Sequence, residues 1–507
     1  MTDLAANLAL GFETALTSTN LLYCFLGVLL GTLIGVLPGI GSLAAVSMLL
    51  PVSFYLPPET AIVMLAGVYY GAEYGGSTAA ILLNLPGTPS SAVTCLDGNP
   101  MAKNGKAGLA LFITTIASFA GGTFGIVLLM LLAPTLAGLT LAFGPAEYFM
   151  MMALGLIAAA TITRGSPLKG LAMVLVGLAL GTVGTDTNTG IARFAFGNTL
   201  LFDGISLVAV AMGLFGVSEI IASIGRGARD HYRQRVRLSE MVPSPTDLRE
   251  AAPPMGRGAV IGAVVGILPG AGQTMASFFA YAAEKMVSRT PERFGTGTLP
   301  GVAAPEAANN AAVQSAFIPT LTLGIPGSAT MAIMMGALLI HGVSPGPSLL
   351  TLNPHIFWGL VASFWIGNLL LLLLNIPLIG IWVRLLQIPY PVLYPAIICF
   401  ICIGAYSISF STLDVALVLI FGLAGYTMRE LGFDPAPLVI GFVLGPMMEQ
   451  NLRRAMLIGR GDPAIFIDRP VSAALLGLVV LLLLWTVYRT LRGAARTAPR
   501  DRTGAAD

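Results

Sequence analysis

One eleven-residue pattern occurs twice in this chain and limits what the rest can be. Gly31–Gly41 reads GTLIGVLPGIG, and Gly262–Gly272 reads GAVVGILPGAG. Six of the eleven positions are identical: four glycines, Leu37 with Leu268 and Pro38 with Pro269. Both copies lie in apolar surroundings. Proline removes a backbone donor and glycine loosens the chain, so a Pro-Gly pair interrupts a helix. In lipid, the polar groups freed by such a break are tolerated only where protein buries them or where they line a watery cavity.

Composition says which solvent applies. Charged residues make up 10% of the 507, where roughly 25% is usual. Hydrophobic residues are 56%, and mean hydropathy is +0.85. These values predict an all-α polytopic membrane protein with roughly 10–14 membrane segments. A net charge of +2 leaves no electrostatic footprint for nucleic acid. Residues 1–20 carry Asp3 and Glu13 but no Lys or Arg, so no cleavable signal is expected and the first apolar run stays as a membrane helix. Cys399 and Cys402 form a C-x-x-C inside an apolar, helix-like run, where packing is the expected role. The three histidines, His231, His341 and His355, are scattered without metal-ligand spacing.

The repeat extends past the opening motif. LNLPGTPSSAV (Leu83–Val93) matches LGIPGSATMAI (Leu323–Ile333), and between the two signatures Glu73 finds a counterpart in Glu306. Further on the match weakens: Gly184-Thr-Asp186 pairs with Gly432-Phe-Asp434, and Gly197 with Gly445. The expected division is a first membrane repeat at 1–225, a basic cytoplasmic linker at 226–257, a second repeat at 258–450, a C-terminal membrane segment at 451–488 and a basic cytoplasmic tail at 489–507. Lys103, Lys106, Arg164 and Lys169 have uncharged counterparts in the second half, and Arg429 has one in the first. Charge thus alternates against the repeat, which by the positive-inside rule favours inverted topology. Lys285, Arg289, Arg293, Arg453, Arg454 and Arg460 fit that scheme less well. The Arg226–Arg237 cluster is read as a topology determinant.

Two broken segments at matching positions in two halves point to the binding site of a secondary transporter. A helix that starts inside a membrane offers free N–H groups and the positive end of its dipole, an anion site that needs no Arg or Lys. Residues suited to that task follow each break. Gly39, Gly41 and Ser42 follow the first, and Gly270, Gly272, Gln273 and Thr274 follow its copy. The second pair of breaks offers Asn84, Pro86, Gly87, Thr88, Ser90 and Ser91 on one side, with Pro326, Gly327, Ser328 and Thr330 on the other. Facing hairpins of this kind suit a di- or tricarboxylate. Glu73 and Glu306 are ionisable residues in membrane segments, and Asn309 and Asn310 add amide oxygens. Such groups suit Na⁺, or a buried Glu carries H⁺. No other cofactor and no further metal site is expected.

At these residues the chain resembles the large membrane subunit of the tripartite tricarboxylate transporters, the TctA family. The resemblance runs from about Leu21 to Met456. Its most specific passages are Leu37–Pro51, Tyr69–Lys106 and Ala304–Ile333, with Gly184–Gly197 and Gly425–Gly445 also fitting. It implies a translocating component of the bacterial inner (cytoplasmic) membrane. The implied partners are a small TctB-like membrane subunit of about four helices and a periplasmic TctC-like solute-binding protein. Such a system imports carboxylates on an ion gradient without ATP, and the chain has no GxxxxGK[ST] phosphate loop. By analogy with other carriers built on paired hairpins, transport would be of the elevator type. Two rivals are an uncoupled organic-anion facilitator or channel, and a membrane enzyme. The enzyme would need a catalytic constellation that the sequence lacks.

Overall fold

The computed structural model describes residues 4–37, 40–140, 143–162, 166–186, 189–224, 241–268, 272–385 and 390–497. These are helical almost throughout. The first half comprises α1 (Leu4–Ala15), α2 (Ser18–Val36), α3 (Gly41–Ser53), α4 (Pro58–Leu83), α5 (Thr94–Met101), α6 (Ala107–Thr140), α7 (Pro145–Ile162), α8 (Pro167–Gly181), α9 (Leu207–Ala211) and α10 (Ser218–Ile224). The second comprises α11 (Pro245–Ile267), α12 (Gly272–Val287), α13 (Leu299–Ser315), α14 (Phe317–Leu323), α15 (Ala329–Ile340), α16 (Ser348–Leu352), α17 (Pro354–Asn375), α18 (Ile379–Leu385), α19 (Tyr390–Ser409), α20 (Thr412–Glu430), α21 (Ala436–Ile458), α22 (Ile465–Asp468) and α23 (Pro470–Thr497). Two short antiparallel strands, β1 (Gly184–Thr185) and β2 (Ala192–Arg193), follow α8. Among the described residues, five helices are long and apolar enough to cross a membrane: Ser18–Val36, the joined run Thr94–Leu136, Pro354–Asn375, Thr412–Glu430 and Pro470–Tyr488.

Each Pro-Gly motif ends one helix and starts another. α2 gives way at Leu37, and α3 begins at Gly41 with φ +76°. Its copy separates α11 from α12, which begins at Gly272 with φ +61°. The second pair of breaks opens on left-handed residues, Asn84 (φ 56°) after α4 and Gly324 (φ 69°) after α14. Only glycine, and less readily asparagine, adopts that conformation without much strain.

Glycines set the packing. A Cβ at Gly27, Gly31 or Gly35 would lie 2.3, 2.4 or 2.1 Å from the carbonyl oxygens of Met64, Val68 and Ala72. In the second half Gly258, Gly262 and Gly266 meet the carbonyls of Ala304, Ala308 and Ala312 at 2.1, 2.1 and 2.5 Å. Small residues at four-residue spacing let backbones touch, the usual way of packing helices where lipid removes the hydrophobic drive. The contacts advance in the same order on both helices, so α2 runs parallel to α4, and α11 parallel to α13. α3 and α12 therefore bring the chain back, so α2 with α3, and α11 with α12, each form a hairpin. Replacing Gly31 or Gly262 by leucine is expected to cost at least about 1–3 kcal/mol through overpacking. The midpoint of thermal unfolding in detergent reads this directly, and an unchanged midpoint would contradict the contact.

This packing corrects one sequence expectation. Ala72 stands where Ala312 stands, and Asn84 where Gly324 stands, so Glu73 aligns with Val313 and Glu306 with Ala66. The two glutamates are not repeat counterparts; they lie about two turns apart in the register of the repeat. The later match also fails at one point. Gly197 sits in the loop after β2 at φ +76°, whereas Gly445 is buried within α21. Two expected boundaries fall inside helices: α11 begins at Pro245, within the stretch read as a linker, and α21 runs through residue 450. The Arg226–Arg237 cluster lies outside the described residues.

α4 from Thr60 to Leu82 and α13 from Gly301 to Ser315 are buried at every position. A helix buried all round belongs at the centre of a bundle. α6 passes alongside α13 in the same direction, Gly121 meeting Ala307 and Gly125 meeting Ala311. α17 runs against α6, with Trp365 donating to Met130 and Asn368 to Thr123. It runs with α4, pairing Phe364 with Tyr70 and Asn368 with Tyr74. α4 and α13, the helices that carry Glu73 and Glu306, therefore run in opposite directions.

Candidate functional site

Three of the four breaks deliver a side chain to one carboxylate. Ser42 is the second residue of α3, Ser90 the second residue of the 3-10 turn Pro89–Ala92, and Gln273 the second residue of α12. Ser42 Oγ donates to Glu73 Oε1 at 2.5 Å, and Ser90 Oγ donates to Oε2 at 2.5 Å. Gln273 Nε2 donates to Oε1 at 3.0 Å, and its own amide oxygen accepts from Tyr69 OH at 3.2 Å. Tyr69 and Glu73 share a face of α4, one turn apart. The Glu73 carboxylate thus lies at three helix starts, where free N–H groups and the helix dipole favour negative charge.

The fourth break lies beside the third. Ser328 caps α15, its Oγ accepting from Met331 N at 3.3 Å, and a Cβ on Gly272 would come within 4.0 Å of Ser328 Cβ. Gly41 stands similarly against the Pro89 ring at 3.8 Å. The hairpin tips are thus in contact as pairs, first with second and third with fourth.

Other residues expected at the site have structural work. Asn84 is exposed at the left-handed end of α4. Gly87 donates to Gly76 O, and a Cβ there would strike the Gly35 carbonyl oxygen at 2.1 Å. Thr88 and Ser91 close a capping box on the Pro89–Ala92 turn. Thr88 Oγ1 also lies 2.9 Å from Ser90 Oγ, within the Glu73 network. Pro326, Gly327 and Thr330 are buried, and Thr274 is half-buried. Gly39 and Gly270 lie outside the described residues.

Glu306 forms a second centre with partners the sequence reading missed. Its Oε1 accepts from Thr94 Oγ1 at 2.5 Å and its Oε2 from Ser118 Oγ at 3.3 Å. Asn310 Nδ2 donates to the Glu306 backbone carbonyl at 3.1 Å, while both amide atoms of buried Asn309 lack a partner. Asp97 was also missed. It is fully buried and accepts from Tyr281 OH (2.9 Å), Gly295 N (3.0 Å), Gly297 N (2.8 Å) and Thr298 N (2.9 Å), tying α5 to the loop before α13. Asp186, read mainly as a loop residue, follows β1 and pairs with Arg453 at 2.7 Å. The four cysteines are free thiols, and among the described residues no three His, Cys, Asp or Glu side chains stand together as a metal cluster.

A family model described as the tripartite tricarboxylate transporter TctA family matches residues 21–440. An Agrobacterium vitis protein described as an uncharacterized 52.8 kDa protein in the TAR-I ttuC' 3' region is 51% identical over 479 residues, covering 94% of this chain and 95% of that one. A second protein from the same organism, described as an uncharacterized protein in the TAR-II ttuC' 3' region, is 50% identical over 231 residues, 46% of this chain and 96% of its own length. No solved structure matches the chain.

Proposed function

The chain belongs to the tripartite tricarboxylate transporter TctA family, and on that premise we propose that it is the translocation subunit of a binding-protein-dependent carrier that imports an organic carboxylate on an ion gradient. It is a multi-pass membrane protein of a transporter family, and a bacterial inner membrane is the proposed location. The proposed partners are a small TctB-like membrane subunit and a periplasmic TctC-like solute-binding protein. The chain itself catalyses no reaction.

The observation that carries this reading is the convergence of Ser42, Ser90 and Gln273 on one carboxylate. Their donors and helix starts are already arranged around a carboxylate, and a substrate carboxylate draws on the same set. Two carboxylates in one low-dielectric cradle repel by several kcal/mol, about 4 at an effective dielectric of 20 and 4 Å separation. Substrate therefore binds when a cation, H⁺ or Na⁺, offsets the charge of Glu73. Coupling of anion to cation follows from the electrostatics.

The opposite directions of α4 and α13, each packed on its own hairpin, support an inverted-repeat arrangement. The ends of the helices agree with it. The first turn of α11 holds Asp247, near Lys106, and Lys169 Nζ donates to Leu431 O at the end of α20; the end of the bundle that carries these basic residues is the proposed cytoplasmic side. The first turn of α4 instead holds Glu59, near His341 at the end of α15. Two hairpins entering from opposite sides and meeting at Glu73 suit alternating access of the elevator type.

The test is uptake into proteoliposomes holding this chain, its small subunit and a carboxylate-loaded binding protein. Wild type is expected to accumulate carboxylate under an inward Na⁺ or H⁺ gradient and not without one. Glu73→Gln is expected to equilibrate substrate without concentrating it, because the cation is no longer required. Fast equilibration by wild type under every gradient would overturn the carrier in favour of a facilitator.

A further inference from the structure

Glu306 differs from Glu73 in what surrounds it. It is buried at 1% exposure, and its two oxygens receive one short hydroxyl bond from Thr94 and one long one from Ser118. A third hydroxyl, Ser77 on α4, faces the same carboxylate. Ser77 Oγ is buried and has no partner other than that carboxylate. The titratable groups near Glu306 are Glu73, Tyr74 and Cys95, none of them a cation. No ion pair reaches it among the described residues: the six that form join other side chains. A buried carboxylate with neither a counter-charge nor a full set of donors is expensive.

We propose that Glu306, Thr94, Ser118 and Ser77 form a Na⁺ site, distinct from the Glu73 cradle. The donor set is all oxygen, which selects a hard cation over a transition metal. Only one carboxylate contributes, which suits a monovalent ion. Binding turns the Thr94, Ser118 and Ser77 hydroxyls away from the carboxylate so that their lone pairs face the ion. The four residues come from α4, α5, α6 and α13, so the ion draws together helices of both repeats.

A small polar cleft borders the site. Tyr74, Thr78, Thr115, Ser118 and Asn375 line a cleft between α4, α6 and the end of α17, and Ser118 belongs to both cleft and site. Asn375 and the start of α6 lie toward Lys106, the basic end. Coupling runs through a short stretch of chain: Thr94 is one turn beyond Ser90, the Glu73 donor, so Na⁺ on Thr94 fixes the segment that presents Ser90. Ser77 likewise lies one turn from Glu73 on α4.

This inference rests on the carrier reading and refines it: Na⁺ sits at Glu306, and the cation that offsets Glu73 is a proton. The experiment is binding of ²²Na⁺ to the purified full chain in nanodiscs, without carboxylate, with K⁺ and choline as competitors. Saturable Na⁺ binding that K⁺ does not displace is expected. Glu306→Gln should abolish it, and Ser77→Ala and Thr94→Val should each weaken it by about tenfold or more. Absence of Na⁺ binding, or binding unchanged in Glu306→Gln and Ser77→Ala, overturns the site. Carboxylate accumulation on a proton gradient alone would then leave the carrier standing, whereas no gradient-driven accumulation would remove the carrier itself.

Discussion

Asp97→Ala is expected to be strongly destabilising. The carboxylate is fully buried and receives a phenol and three backbone N–H groups, all from the second half. Alanine leaves the buried Thr298 N–H without an acceptor, at about 1–3 kcal/mol, and takes the acceptor from Tyr281 OH and Gly297 N, which are half-buried, and from exposed Gly295 N, which water reaches at a smaller cost. Even about 2 kcal/mol is a large share of the roughly 5–15 kcal/mol that holds a typical domain. Asparagine does not rescue it, because its NH₂ points a donor at donors. Gly301 is part of the same arrangement, since a Cβ there would stand 2.1 Å from Asp97 Oδ2. Thermal unfolding followed by size exclusion in detergent should show both variants aggregating far below wild type. A wild-type midpoint for Asp97→Ala would mean that the clamp contributes nothing.

The second large effect is functional. The Ser42→Ala, Ser90→Ala double variant removes two hydroxyl donors without changing the hairpin backbone. A hydrogen bond to a charged group contributes about 1.5–3 kcal/mol, so losing two costs about 3 kcal/mol or more, roughly a hundredfold in affinity. Uptake at low substrate should fall by that factor and recover in part as substrate is raised. The two sites share Glu73, so the single variants need not sum to the double. A double variant with wild-type uptake at every concentration would remove both hydroxyls from the mechanism.

The hairpin tips were readable because Pro-Gly has a local effect that tertiary packing cannot override: the helix must stop. The residues just past each break were readable for the same reason, and Ser42, Ser90 and Gln273 each fall at the second position of a new helix. Asn84, Gly87, Thr88 and Ser91 share the same composition, but they shape the tip itself, which sequence cannot separate from presenting a donor. Glu73 and Glu306 were paired because both lie between the two signatures. The correct register lay in the glycine spacing of α2 and α11. Almost every position of α13 facing them is alanine, so no period stands out there to fix the match. Thr94 and Ser118 were missed because their common partner comes from the other half of the chain. Asp97 was missed because its donors are mostly backbone N–H groups, which carry no residue code. Tyr69 was within reach, lying one turn before Glu73 on the same helix face.

The central claim is that the hairpin tips hold a carboxylate, and equilibrium binding tests it most directly. The measurement is titration of the purified chain in nanodiscs with labelled di- and tricarboxylates in the presence of Na⁺, for wild type and for the Ser42→Ala, Ser90→Ala double variant. The account predicts saturable binding by the chain alone, weakened roughly a hundredfold in the double variant. Binding of equal affinity in both proteins would place the carboxylate elsewhere and contradict it.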